Sequence, residues 1–138
     1  LSLPAPVWAV EPLPVPVAAE VVRVIDGDTV VVRARIWPGQ YVETRVRLLG
    51  VDTPESRGPD GEAERALAAE ATAFTAQWLD GAQIGLQEID LGSFAGRVIA
   101  RITRSDGADL SADLASAGLA APYGAPSPWC ASPAAPSR

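Results

Sequence analysis

The chain has 138 residues, 48% hydrophobic and 20% charged, which fits one globular domain with a modest core and argues against a second full domain within it. It holds no His and a single Cys, excluding His-based catalytic triads, zinc sites built on Cys and His, haem ligation and an intrachain disulfide. The net charge of -6 has the wrong sign for a protein that works through an overall positive field, so a nucleic-acid binder would need its cations placed locally.

Residues 1–19 begin with Leu, carry five Pro and lack a basic n-region, so they read as an extended leader or linker and not as a signal peptide or membrane span. The folded domain is expected over residues 20–124. Val21 to Asp26 is a short apolar strand. Thr29 to Ile36 alternates, with Val30, Val32, Ala34 and Ile36 on one face and Val31, Arg33 and Arg35 on the other, so the two segments should form a hairpin. After a turn at 37–40, Tyr41 to Gly50 sets Val42, Thr44, Val46 and Leu48 against Glu43, Arg45 and Arg47, which points Arg47 away from the core.

A loop follows. Ala63, Leu67, Ala71, Phe74 and Trp78 then recur at helical steps, predicting a helix over Glu62 to Asp80 that Gly81 stops. Ile84 to Asp90 and Arg97 to Arg104 are strands joined by the glycine-punctuated segment Leu91 to Gly96. Leu110 to Ala117 is a short helix closed by Gly118 and leading into Leu119 to Tyr123. Residues 125–138, rich in Pro, Ala and Ser, form an irregular tail in which Cys130 is either an inert free thiol or an intermolecular crosslink. The order predicts a mainly β (α+β) fold: a five-stranded Greek-key barrel of the OB type. Its long helix lies between the third and fourth strands and its short helix follows the fifth.

Every cation is Arg. Residues 21–50 hold five Arg against three acids, residues 51–96 two against nine, and residues 97–104 three against none. Arg suits planar, bidentate contact with phosphate, although a general preference for Arg over Lys would give the same count. Four segments can carry chemistry, and each has a plainer reading. Asp26-Gly27-Asp28 is a pair of carboxylates or simply a hairpin turn. Asp52-Thr53-Pro54-Glu55 is an acidic pair or a helix start capped by Thr53. Arg47 is a phosphate contact or a solvated cation, Arg97 a phosphate contact or a satisfied charge at a strand edge, and Tyr123 stacks on a base or closes the core.

Taken together they are more specific. Asp28 and Asp52 come from separate segments that a small barrel can bring to one end, offering hard oxygen ligands to a divalent cation, with open positions for water and an anionic substrate. Without a metal, the cluster Asp26, Asp28, Asp52 and Glu55 would repel itself. Arg47 and Arg97 would neutralise charge building on a phosphate under attack.

The segments Ile25-Asp26-Gly27-Asp28-Thr29-Val30, Arg47 to Glu55, Gly96-Arg97 and Gly118-Leu119-Ala120 occur in the order and spacing of the staphylococcal nuclease (thermonuclease) family, and the sequence resembles that family from about Glu20 to Tyr123. The resemblance implies an OB-fold nuclease, typically calcium-dependent, that cleaves DNA and RNA with little sequence preference. It implies Ca2+ ligation by Asp28, Asp52 and the carbonyl of Thr53, with Glu55 as general base toward the attacking water. By the same resemblance Arg47 and Arg97 bind the scissile phosphate. Asp26 would lie behind the ligands. Arg is almost never deprotonated, so electrostatic stabilisation ranks before acid catalysis for both.

Three departures stand out. A Tyr that often precedes the Gly-Arg pair is replaced by Ala95, with Phe94 one earlier. Tyr123 lies where the family places a base-packing Tyr, but with different loop spacing, and the acidic balance contrasts with the strongly basic founding members. The rival readings are a catalytically silent OB module that binds nucleic acid or protein, and an adaptor domain on an envelope or secreted protein. A monomer is favoured, no segment of the chain reads as a membrane span, and the leader together with calcium use suggests a secreted, periplasmic or envelope location.

Overall fold

In a computed structural model of the chain, residues 16–55, 61–91, 96–126 and 128–129 are described. Strands β1 (Val17–Asp26), β2 (Thr29–Trp37) and β3 (Gln40–Leu48) form an antiparallel meander. The two-residue β4 (Val51–Asp52) precedes helix α1 (Glu62–Leu79), strands β5 (Ile84–Leu91) and β6 (Arg97–Arg104), helix α2 (Leu110–Ser116) and β7 (Ala121–Pro122). Five strands close a barrel in the order β1-β2-β3-β6-β5, with β3 and β6 parallel and β5 returning to β1. This is the OB-fold arrangement expected from the sequence, with the long helix between the third and fourth barrel strands.

Alternation in the strands builds the core. Val30, Val32, Val46, Leu48, Leu86, Ala100 and Ile102 point into the barrel, and Leu110 and Leu114 of α2 close it. Two inward-pattern residues escape. Ile36 and Val42 are exposed, because β1 leaves β2 at Ala19↔Ala34 and β6 pairs β3 only over Arg45 to Leu48. The end of the β2–β3 hairpin therefore projects past the barrel as a two-stranded arm. Val31, on the outward face by pattern, is instead buried.

β1 begins four residues before the strand read from the sequence, since Val17, Ala18 and Ala19 pair with Leu86, Gly85 and Ile84. Residues 1–15, and the expectation of a leader there, lie outside the described residues, as does Cys130. Of the face expected for α1, Ala71 and Trp78 are buried and Leu67 and Phe74 pack against the core, whereas Ala63 is exposed and Glu64 and Thr75 are buried, with hydrogen-bond partners described below. Asp109 caps α2 by accepting from the N–H groups of Ser111 and Ala112. No described helix is long and apolar enough to cross a membrane.

Candidate active site

The site gathers at the barrel end that carries the β1–β2 turn. Asp26 and Thr29 are register partners, so Asp26-Gly27-Asp28 is a tight hairpin, as its composition predicts. It is also docked. Thr75 of α1 donates its hydroxyl to the carbonyl of Gly27 at 2.8 Å, and a Cβ on Gly27 would lie 2.8 Å from that of Ala71. Only glycine lets the turn lie this close to the helix. Within the turn, Asp28 N–H donates to Asp26 Oδ1 (3.1 Å) and Thr29 Oγ1 donates to Asp28 Oδ1 (3.0 Å).

Asp28 Oδ2 faces the other loop and accepts the backbone N–H of Thr53 at 3.2 Å. That loop starts in β4, whose ladder with β7 pairs Val51 with Pro122 and Asp52 with Ala121. The ladder brings Tyr123 back: its N–H donates to the carbonyl of Gly50 (3.0 Å), and the N–H of Gly124 donates to Asp52 Oδ2 (3.2 Å).

Arg47, near the end of β3, lies between the two loops. Its Nη1 sits 3.4 Å from Asp28 Oδ2 and donates to the carbonyls of Val51 (2.7 Å) and Leu48 (3.2 Å), while Nη2 is ion-paired with Asp52 Oδ1. The ring of Tyr123 lies 5.6 Å from the guanidinium carbon. The anticipated self-repulsion of the acidic cluster is thus resolved for Asp28 and Asp52 by Arg47, a cation from the chain itself. For Asp26 it persists: burial, and then the neighbouring Asp28 carboxylate, push its pKa from 3.8 up to about 6.

Beside this cluster lies an open cavity of about 520 Å3, lined by Arg47, Asp52, Arg97, Ile99 and Tyr123 with the backbone turn at 48–50. Arg97 reaches it from the first residue of β6, next to Arg45 in register. Of the sequence-predicted residues, Arg47, Asp52, Arg97 and Tyr123 therefore share one cavity, and Asp28 and Thr53 join through Arg47 and a hydrogen bond. Glu55 does not line the cavity. Its backbone is held from elsewhere: the N–H of Glu55 donates to Glu64 Oε2 at 2.9 Å. Glu64 is 4% exposed, and its Oε1 has no hydrogen-bond partner among the described residues. Sequence reasoning missed it, since an acid in the first turn of a helix is ordinarily a solvated group facing the dipole. The positions of Phe94 and Ala95 lie outside the described residues.

Two carboxylates and two backbone carbonyls thus meet on one guanidinium, beside a cavity lined by a second arginine. A family model described as staphylococcal nuclease homologue matches residues 45–132. The chain belongs to this family. The match includes Arg47, Asp52, Thr53, Glu55, Arg97 and Tyr123, and begins after Asp28, which the barrel hairpin brings to the same place. No curated protein matches the chain significantly. A staphylococcal nuclease homologue has a nucleic-acid substrate as its family role, and the cavity with its two arginines is the feature here that suits a phosphate.

Proposed function

We propose that this chain is a calcium-dependent nuclease that hydrolyses phosphodiester bonds of DNA, RNA or both with low sequence preference. The observation that carries the reading is the meeting of Asp28 and Asp52 on Arg47 at the edge of a cavity shared with Arg97 and Tyr123. Among the described residues no three His, Cys, Asp or Glu side chains converge, so a metal centre here rests on two carboxylates and the backbone. The donor set suits a hard cation in kind: Asp28 and Asp52 flank one guanidinium from two loops, and oxygen is the ligand Ca2+ prefers. Asp28, Asp52 and the carbonyl of Thr53 would hold it. When bound, the ion supplies electrostatic stabilisation to the phosphate as charge builds on it.

The remaining roles belong to side chains. Arg47 and Arg97 grip the non-bridging phosphate oxygens, a contact that strengthens as the phosphorus becomes five-coordinate. Glu55, whose carboxylate makes no hydrogen bond among the described residues, takes the proton of the attacking water. Tyr123, 70% exposed, offers a ring against the sugar or base next to the cleaved bond.

The test is release of acid-soluble nucleotides from DNA and from RNA, with calcium added or chelated. Release in calcium and none in chelator is expected. Binding of oligonucleotide without any hydrolysis would replace this reading with a silent OB-fold module.

A further inference from the structure

The arm at the end of the β2–β3 hairpin leaves one strand edge uncovered. β6 pairs β3 only over Arg45 to Leu48, so Gln40 to Thr44 has β2 on one side and no strand on the other among the described residues. Two bonds fix which backbone groups face that open side. Leu48 N–H donates to the carbonyl of Asp28 on the β2 side, and Leu49 N–H donates to that of Ala100 on β6. Alternation then turns the N–H and C=O of Val42 toward β2, and those of Tyr41 and Glu43 toward the open side. Such edges are ordinarily blunted by Lys, Pro or a bulge. Gln40 to Thr44 contains neither residue, its ladder to β2 is regular from Tyr41 onward, and Glu43 is its one charge. One face of the arm is also apolar and uncovered, with Ile36 58% and Val42 43% exposed.

The open stretch is self-complementary. Antiparallel pairing of two such edges must set the outward-bonding residues, Tyr41 and Glu43, against each other. With the axis at Val42, Tyr41 opposes Glu43 of a second copy, Gln40 opposes Thr44, and all five residues are used. With the axis at Glu43, that carboxylate would face its own copy, and Tyr41 would need Arg45, which is already paired with Arg97. With the axis at Tyr41, the pairing would run into the turn at Gly39, whose φ is 76°. In the register centred on Val42, each Glu43 lies between Arg33, its partner on β2, and Tyr41 of the other copy. On the opposite face Val42 meets Val42, and the Ile36 of each arm extends the apolar row.

We propose that this edge pairs with the same edge of a second copy of the chain, antiparallel about a two-fold axis at Val42, giving a four-stranded sheet β2-β3-β3-β2 across the two molecules. Five residues a side fall short of the roughly 20 to 30 of a standard interface, so the pairing is reversible. Its dissociation constant is on the order of 100 µM, and the single chain prevails in dilute solution. The pairing stands apart from the nuclease reading: at about 3.3 Å per residue Arg47 lies about 17 Å from the axis, and the test reads mass alone.

The experiment is sedimentation equilibrium from about 10 µM to about 1 mM, a range that brackets this constant. The parent's average mass should climb from the chain's 14.3 kDa toward twice that value. Val42→Lys and Val42→Glu each set like charges face to face on the axis, so each alone should keep the single-chain mass. Their equimolar mixture should regain the concentration dependence, because opposite charges then face each other. The mixture also guards against a folding defect, since misfolded variants would not recover association on being combined. Val22→Lys, at an exposed apolar position on β1 two strands from this edge, should self-associate as the parent does. A parent that keeps the single-chain mass throughout, self-association of either Val42 variant alone, a mixture that stays monomeric, or an equal loss in Val22→Lys would each overturn the pairing.

Discussion

Glu64, in the first turn of α1, holds Glu55 by its backbone across the loop between β4 and the helix, with 2.9 Å between the Glu55 nitrogen and Glu64 Oε2. A carboxylate 4% exposed that makes a single hydrogen bond to the chain carries a desolvation cost that the bond only partly offsets. What it contributes is position. Glu64→Ala should therefore lower kcat by about 10- to 100-fold, the scale of a base displaced by around an ångström. KM for polynucleotide should hold, since Glu64 does not line the cavity. Stability in urea should change by less than about 1 kcal/mol, as loss of the bond and loss of the buried charge oppose each other. A kcat equal to that of the parent would remove Glu64 from the positioning of Glu55.

Arg47 binds the same two carboxylates that a metal ion would need. Competition follows directly, and it gives Arg47 opposite effects on binding and on reaction. Arg47→Gln should bind calcium roughly tenfold more tightly than the parent, because a positive charge within 4 Å of both ligands has been removed. It should lose about three orders of magnitude or more in hydrolysis, having given up a phosphate contact. Isothermal titration with calcium and a nuclease assay on the same preparation check both halves. Weaker calcium binding in the variant would show that Arg47 orders the ligands more than it competes with them.

Asp26 predicts a pH dependence of stability. Its carboxyl, pushed up to about 6 by burial and by Asp28, holds its proton more firmly in the folded protein than in the unfolded chain, where it titrates near 3.8. The stabilising contribution is then complete below about pH 4 and is lost as the pH rises through about 6. Asp26 is partly solvated, so the change is on the order of 1 kcal/mol once solvent screening is allowed for. Asp26→Asn keeps an oxygen for the N–H of Asp28 and should equal the parent at pH 4 while exceeding it at pH 8. Urea unfolding in chelator across that range measures it; a parent whose stability is flat between pH 4 and 7 would contradict the assignment.

Much of this architecture can be read along the chain, for identifiable reasons. The alternation of Val30, Val32, Val46 and Leu48 reports the barrel interior because each strand there has neighbours on both sides. Where β2 and β3 outrun those neighbours, the same alternation misassigns Ile36 and Val42, since pattern records side-chain direction and not whether anything lies opposite. The site residues were visible as types at a spacing, but their partners were not. The β4–β7 ladder that ties Asp52 to Tyr123 is two residues long on each side, too short to show a period. The burial of Glu64 in place of Ala63 depends on an N–H nine positions upstream, information that a helical repeat does not contain. The engagement of Arg47 with both carboxylates likewise depends on closure of the barrel, so outward direction along β3 was legible and its occupants were not.

Gly27 is where fold and site are hardest to separate. A methyl group there would meet Ala71 Cβ at 2.8 Å and Thr53 Cβ at 3.1 Å, both fixed to the backbone and unable to swing aside. Gly27→Ala must therefore push the β1–β2 turn away from α1 and from the Thr53 loop, stretching the 2.8 Å bond from Thr75 to the Gly27 carbonyl. The expected cost is about 1 to 3 kcal/mol, that of overpacking with a weakened buried hydrogen bond. Thr75→Val, which deletes the hydroxyl and leaves the turn free of the added methyl, should cost only about 1 to 2 kcal/mol. The two variants should also differ in calcium binding. Gly27→Ala shifts Asp28 relative to Asp52 and should weaken it severalfold, whereas Thr75→Val leaves the steric seat of the turn intact and should weaken it less. Urea unfolding and calcium titration of both decide the matter, and calcium affinity unchanged in Gly27→Ala would mean that the packing of the turn on α1 does not set the position of Asp28.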